Sequence, residues 1–266
     1  LDEQSGGMLL LIIGTILFLM AAARHRQELL RRQAWADREA IAAERERYHD
    51  LLLQVLPQSI AERLQAGESN IADLFDESTV LFADIVGFSR MSRGRPPQQV
   101  LGLVRRLFGA FDTLVEAHDL EKIKTIGDAY MVAGGVPEAG AGHAERVADF
   151  ALAMVEAAAG IADLDGQPVQ VRVGVHTGPL VGGVTGSSRF LYDLWGDTVN
   201  TASRMESHGE PGRVQISDAV KEALGDGFEV AERGVVDVKG RGPMRTWWLL
   251  GRAAGDSGES NKEQQA

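Results

Sequence analysis

Asp84 closes an apolar run, Ser78–Asp84 (STVLFAD), and Asp128 directly follows Gly127 in the stretch EKIKTIGDAYM from Glu121 to Met131. Gly87, soon after Asp84, lets the backbone turn closely past whatever that acid holds. Two bare carboxylates brought within about 4 Å repel by several kcal/mol at an effective dielectric near 20. Such a pair shares a proton or holds a divalent cation, and hard oxygen ligands without His or Cys beside them favour Mg²⁺ or Mn²⁺. Two such ions about 4 Å apart activate an attacking oxygen and stabilise a leaving phosphate. Taken alone, the stretch from Glu121 reads more simply. Lys124 and Asp128 flanking a turn make an ordinary hairpin with a solvated ion pair. Period-2 alternation puts Ile123 and Thr125 on one face and Lys122, Lys124 and Ile126 on the other.

The elements that must position these acids follow in order. Ser78–Asp84 reads as a buried strand, and Gln98–Ala117 as an amphipathic helix with Val100, Leu103, Val104, Leu107, Phe108, Phe111, Leu114 and Val115 on its apolar side. A hairpin over 121–136 and a helix over about 144–161 come next. Val169–Thr177 (VQVRVGVHT) alternates strictly, Leu180–Thr185 reads as a glycine-rich hairpin, and a helix spans about 197–207. Strands at about 214–217, 228–239 and 246–251 complete the series. Strand–helix–strand–strand–helix–strand with one covered sheet face is an α+β, ferredoxin-like βαββαβ arrangement. In that layout the first strand lies beside the hairpin strand that follows Asp128, so the two acids meet.

The 266 residues, 44% hydrophobic and 24% charged, suit one globular domain with appendages. No cysteine is present, which excludes disulfides and thiolate metal sites. A net charge of −11 argues against non-specific nucleic-acid binding, while an acidic protein still binds a polyphosphate through bridging metal ions.

The region before the domain has its own pattern. No charge occurs from Gln4 to Ala23, and Met8–Ala23 is almost wholly apolar, so residues 1–23 are expected to form a transmembrane helix. Arg24, Arg26, Arg31 and Arg32 follow it and place its C-terminal side in the cytoplasm, with the protein in the inner or plasma membrane. The chain opens on Leu rather than Met, which fits a fragment of a longer membrane region. Residues 24–72 read as a cytoplasmic helical linker. Ala34, Ile41, Tyr48 and Val55 recur in heptads, but the interleaved Leu30, Asp37, Glu44 and Leu51 are half acidic. A solvated single helix competes with a parallel two-stranded coiled coil, and the coil is the expectation because the flanking regions hold two copies in register. Pro57 stops this helix, and Ser59–Glu62 has the form of a capping box opening a short helix to Gln65. The globular domain is expected over 73–251, and the tail from 252 to 266, without large apolar residues, is expected to be disordered.

LFADIVGF, EKIKTIGDAYMV, YDLWGDTVNTASRMES and VKGRG, in this order and near these spacings, resemble the catalytic domain of class III nucleotidyl cyclases from about Ser78 to Leu250. The anchor, the helix and LLLQVLPQSIAERL resemble membrane-bound bacterial members. The resemblance implies an adenylyl cyclase, a phosphorus–oxygen lyase making cyclic AMP and pyrophosphate from ATP with two Mg²⁺ or Mn²⁺ ions per site. It implies that Asp84, Asp128 and the Ile85 carbonyl are metal ligands, and that Lys124 and Asp193 read adenine. It further implies that Asn200 orients the ribose, Arg204 meets charge on the α-phosphate, and Lys239, or Arg241 beside it, holds the terminal phosphates. Guanylyl members carry Glu and Cys where this chain has Lys124 and Asp193, so ATP is expected. GDTVNTASRMES resembles the guanylyl branch as readily, which keeps a guanylyl cyclase and an inactive cyclase-like dimerisation module as alternatives. The family also implies a head-to-tail homodimer in which Asp84 and Asp128 of one subunit face the base- and phosphate-binding residues of the other. Tyr192, Trp195 and Phe82 are read as packing residues, and His176 as structural.

Overall fold

The computed structural model describes residues 3–53, 55–186, 190–238 and 241–253. It divides into two compact units, residues 1–55 and 56–266.

The first unit is one helix, α1 (Glu3–Leu53). Its charge-rich sequence, without proline, supports continuous helix after the apolar run. Leu30, Ile41 and Leu51 are 57%, 54% and 60% exposed, so within one chain the heptad seam is bare. The expected membrane span is not supported, because no helix among the described residues is long and apolar enough to cross a membrane. The side chains of residues 1–12 lie outside the description. The apolar positions that remain, Ile13–Ala23, give about 16 Å of helix, half a hydrocarbon core.

The second unit opens with α2 (Gln58–Gln65), which buries Ile60 and Ala61. Its capping box does not form. Pro57 occupies the N-cap without a side-chain cap, and Gln58 donates to the Glu62 carboxylate at 2.9 Å.

Eight strands then build one sheet: β1 (Ala72–Ile85), β2 (Glu121–Ile126), β3 (Ala129–Gly134), β4 (Val171–Thr185), β5 (Leu191–Trp195), β6 (Arg213–Ser217), β7 (Phe228–Val238) and β8 (Gly242–Arg252). The order is β2-β3-β1-β4-β6-β8-β7, with β5 paired on β4. The β2-β3-β1-β4 half, with helices α4 (Pro97–Ala117) and α5 (His143–Ala159) in its crossovers, is the expected ferredoxin-like arrangement. A short α3 (Phe88–Met91) precedes α4.

Alternation decides which helix covers which face. Leu81, Ala83 and Ile85 of β1 and Val171, Val173 and Val175 of β4 join Leu103, Leu107 and Phe111 of α4 and Phe150 and Met154 of α5 in one core. Val220 and Leu224 of α7 (Asp218–Leu224) close that core beyond β6. Asp84, Arg172 and Gly174 point to the opposite face, where α6 (Asp197–Ser207) lies.

The structure corrects several boundaries. The expected Leu180–Thr185 hairpin is the continuation of β4, and its partner is β5, a strand not anticipated. The helix α7 was also not anticipated. Trp195 is 40% exposed and packs little, whereas Tyr192 and Phe82 are buried as expected.

Candidate active site

Asp84 is the last residue but one of β1, directly opposite Ala129 on β3, and Asp128 sits in the two-residue turn between β2 and β3. Gly127 leads that turn with φ of 64°, the left-handed value a glycine-first hairpin turn requires. The two acids therefore meet at the strand ends, as the topology demands. Burial is the main influence raising the Asp84 carboxyl above its usual range, with repulsion from Asp128 next. Arg172 of β4 opposes both by donating to Asp84 at 2.7 Å. Its Nε also donates to Glu206 of α6 at 3.2 Å. Glu206 is held on α6 behind the pair, and burial pushes its carboxyl up to about 7 despite Arg172. Sequence reasoning missed both Arg172 and Glu206. The available signal was Arg172 itself, the one charged residue in VQVRVGVHT.

Asp84 and Asp128 offer hard oxygens, and one guanidinium leaves the repulsion between them only partly relieved. That donor set fits a divalent cation. No group of three or more His, Cys, Asp or Glu suited to a metal occurs among the described residues. Two carboxylates and a carbonyl are nonetheless an ordinary complement for Mg²⁺, which keeps waters and substrate phosphates as further ligands. Ile85, whose carbonyl is the third expected donor, is buried beside Asp84 in β1.

Lys124 and Asp193 are brought together, Nζ to Oδ2 at 2.5 Å, with Asp193 8% exposed. Two irregularities make this contact. Lys122 pairs with Val132 and Lys124 with Met131, so Ile123 is an extra residue in β2. This bulge puts Lys122 and Lys124 on opposite faces, correcting the regular alternation read from the sequence. Lys122 turns to α4, and Lys124 turns toward β5. The second irregularity is a bend. Lys124 aligns through Met131 and Phe82 with Gly174 of β4, whereas Asp193 aligns with Gly183. Nine residues of straight strand would separate those levels by about 30 Å. The register shift between Phe75 and Ser78 of β1, opposite the Gly178–Leu180 segment of β4, lets the outer arm curl back to β2.

Asn200 and Arg204 lie one turn apart on α6, Asn200 exposed and Arg204 half-buried. No hydrogen bond joins either side chain to Asp84 or Asp128 among the described residues. Lys239 lies outside the described residues. Arg241 pairs with Asp197 in the first turn of α6. Helix N-termini and guanidinium groups both favour anions, so this corner suits phosphate. His176 hydrogen-bonds Ser217 at 2.7 Å, and burial followed by the Arg241 charge lowers its pKa to about 4, which leaves it neutral and structural.

The family described as "Adenylate and Guanylate cyclase catalytic domain" matches residues 71–251. The chain belongs to this family. An adenylate cyclase of Mycobacterium tuberculosis is 53% identical over 219 residues, covering 82% of this chain and 49% of that protein. The chain thus spans about half the length of that relative. The rat guanylate cyclase soluble subunit beta-2 is 44% identical over 79% of this chain and 31% of its own length. Among solved structures, the guanylate cyclase domain of RhGC from Catenaria anguillulae in complex with GTP superposes with a TM-score of 0.66 at 33% identity. The match covers 68% of this chain and all of that domain. The cyclase fold accounts for the sheet and for α4 and α5, and Asp84, Asp128, Lys124 and Asp193 all lie within the matched residues.

Proposed function

We propose that this chain carries an adenylyl cyclase, converting ATP to 3′,5′-cyclic AMP and pyrophosphate at two sites shared across a homodimer. The observation that carries the reading is the Lys124–Asp193 pair, in which a half-buried ammonium meets a buried carboxylate. Its ammonium donates to adenine N1 and its carboxylate accepts from the exocyclic amine. Guanine presents an N–H and a carbonyl instead and leaves both groups mispaired, which costs up to roughly 10⁴-fold in a dry site.

In the reaction the ribose 3′-hydroxyl gives up its proton to solvent and its oxygen forms a bond to the α-phosphorus as the bond from that phosphorus to the pyrophosphate oxygen breaks. Asp84, Asp128 and the Ile85 carbonyl would hold Mg²⁺ or Mn²⁺, which when bound favours the 3′-oxyanion and neutralises the phosphates. Asn200 orients the ribose. Arg204 donates to the α-phosphoryl oxygens as charge builds there, an interaction stronger in the transition state than in the ground state. Arg241, released from Asp197, and Lys239 receive the terminal phosphates. The acids come from one subunit and the base- and phosphate-binding residues from its partner, so a monomer holds no complete site.

Steady-state rates with ATP and GTP, each with Mg²⁺, Mn²⁺ or chelator, test the reading. Activity is expected with ATP and either metal and to vanish on chelation. Lys124→Glu with Asp193→Cys is expected to shift preference toward GTP. An unchanged ATP/GTP ratio in that double variant would refute the base assignment and favour the guanylyl alternative or an inactive module.

We also propose membrane attachment through the uncharged Gln4–Ala23 run, with a paired linker helix behind it. Recovery of the full chain in the aqueous fraction after membrane sedimentation would refute that attachment.

A further inference from the structure

We infer that Asp112, on the far side of the sheet from α6, is a positioning residue for base selection. It clamps both strands of the β2–β3 hairpin and holds the bulge that aims Lys124 at Asp193. The inference rests on the reading that Lys124 and Asp193 select adenine.

One carboxylate oxygen does the clamping. Asp112 Oδ1, on α4, accepts from Lys122 Nζ of β2 at 2.5 Å and from the Tyr130 hydroxyl of β3. Lys122 Nζ also lies 5.1 Å from the centre of the Tyr130 ring. That ring is fully buried and packs against Phe108 and Phe111 of α4, with centroids 5.2 Å and 5.5 Å away. Tyr130 thus has one place for its hydroxyl, and Asp112 is its acceptor there. Lys122 and Tyr130 are two residues from Lys124 and Asp128 respectively, so the clamp grips the hairpin just short of the functional tip.

The bulge depends on Lys122 facing α4. In regular pairing, Lys122 and Lys124 would share a face, because side chains alternate with a period of two. A one-residue change of register moves a whole strand's side chains to the other face. While Asp112 holds Lys122 on the α4 side, Lys124 can reach Asp193 only if Ile123 is accommodated as the extra residue. Without the carboxylate, the regular alternative competes and turns Lys124 away. Asp112 itself touches neither base-reading residue nor the acid pair, so its effect passes through the hairpin.

The test compares Asp112→Ala, Asp112→Glu, Lys124→Ala and Leu224→Ala in the full chain. Leu224 lies in the core on α7, away from the hairpin, so Leu224→Ala reports general destabilisation. The readouts are kcat and KM for ATP and GTP, Tm, and the cross-strand nuclear Overhauser contacts of Lys124 with Met131. Asp112→Ala is expected to lower the ATP/GTP ratio of kcat/KM by about tenfold or more, the scale of a misplaced positioning contact. It should also weaken the Lys124–Met131 contacts. Asp112→Glu should recover part of both, and Leu224→Ala should keep the ratio at an equal or larger fall in Tm. If Lys124→Ala collapses the ratio while Asp112→Ala keeps it, the positioning role is wrong. If Lys124→Ala keeps the ratio, the base-reading assignment is wrong. The register contacts in Asp112→Ala then decide the clamp alone, and their persistence would overturn it.

Discussion

Gly174 is the point at which β4 and α6 touch backbone to backbone, and replacing it with alanine measures how tightly α6 is seated. A Cβ built at Gly174 would lie 1.9 Å from the Glu206 amide nitrogen, 2.4 Å from the Met205 carbonyl carbon and 2.5 Å from the Glu206 Cα. All three are backbone atoms, so no rotamer change relieves the clash. Ordinary contact begins at 3.4 Å, and 3.4 − 1.9 gives a displacement of 1.5 Å for the end of α6. Overpacking of this kind costs about 1–3 kcal/mol. For a domain of this size that lowers Tm by about 2–12 °C. The same helix carries Asn200 and Arg204. A misplacement of about 1 Å in a reacting constellation costs on the order of 10²-fold, so kcat should fall by about that factor in protein that is still folded at the assay temperature. Calorimetry and initial rates at saturating ATP read the two effects. Gly109→Ala is the companion, since its added Cβ meets nothing within 4 Å and lies within α4. It should raise stability by about 0.5–1 kcal/mol through helix propensity and leave the rate alone. Wild-type Tm and kcat in Gly174→Ala would refute the tight seating of α6.

Three further outcomes concern the site and its surroundings. Arg172→Met leaves Asp84 facing Asp128 without its cation and strips Glu206 of its partner, so urea unfolding should show a loss of about 1–3 kcal/mol. Added Mg²⁺ should restore more stability to that variant than to the wild type, and equal restoration would count against a shared cation site. Burial pushes the Glu121 carboxyl up from 4.5 to about 7. Its folded pKa is raised, so the folded protein binds the extra proton, and its destabilising contribution is absent below about pH 4.5 and complete above about pH 7. Tm measured from pH 4.5 to 7 should therefore fall less steeply in Glu121→Gln than in the wild type, and parallel profiles would refute the assignment. Chains bearing Asp84→Ala and chains bearing Arg204→Ala should each be inactive alone and recover one site per heterodimer when mixed; absence of recovery would argue against shared sites.

The meeting of Asp84 and Asp128 is legible in the sequence, because the strand order of a βαββαβ unit places the first strand beside the third. The Lys124–Asp193 contact is legible there only through family resemblance. Regular alternation through Lys122, Ile123 and Lys124 gives no hint of an inserted residue, and Leu191–Trp195 is too short a run, beside glycines, to announce a strand. The bulge at Ile123 is favoured by tertiary contacts, with Asp112 on one side and Asp193 on the other, which lie 10 and 69 residues away in sequence from their lysines. Glu206 is hidden for the same reason, since nothing local marks it as the α6 residue that Arg172 reaches from the sheet beneath. Ser59 shows the converse, a local capping signal left unused because Pro57 already starts the helix.

The bend in β1 and β4 divides one pair of strands into two territories. The inner stretch lies flat beneath α6 and bears Arg172 against Asp84, while the outer stretch swings β5, and with it Asp193, against the hairpin. On the proposed assignment of Lys124 and Asp193 to the base, a protein built this way can exchange the lobe that greets the purine and leave the phosphate-handling end undisturbed. Transplanting only the segment beyond the elbow, from Gly178 to Trp195, together with the residue at 124, should carry a new nucleobase preference into an otherwise unaltered catalyst.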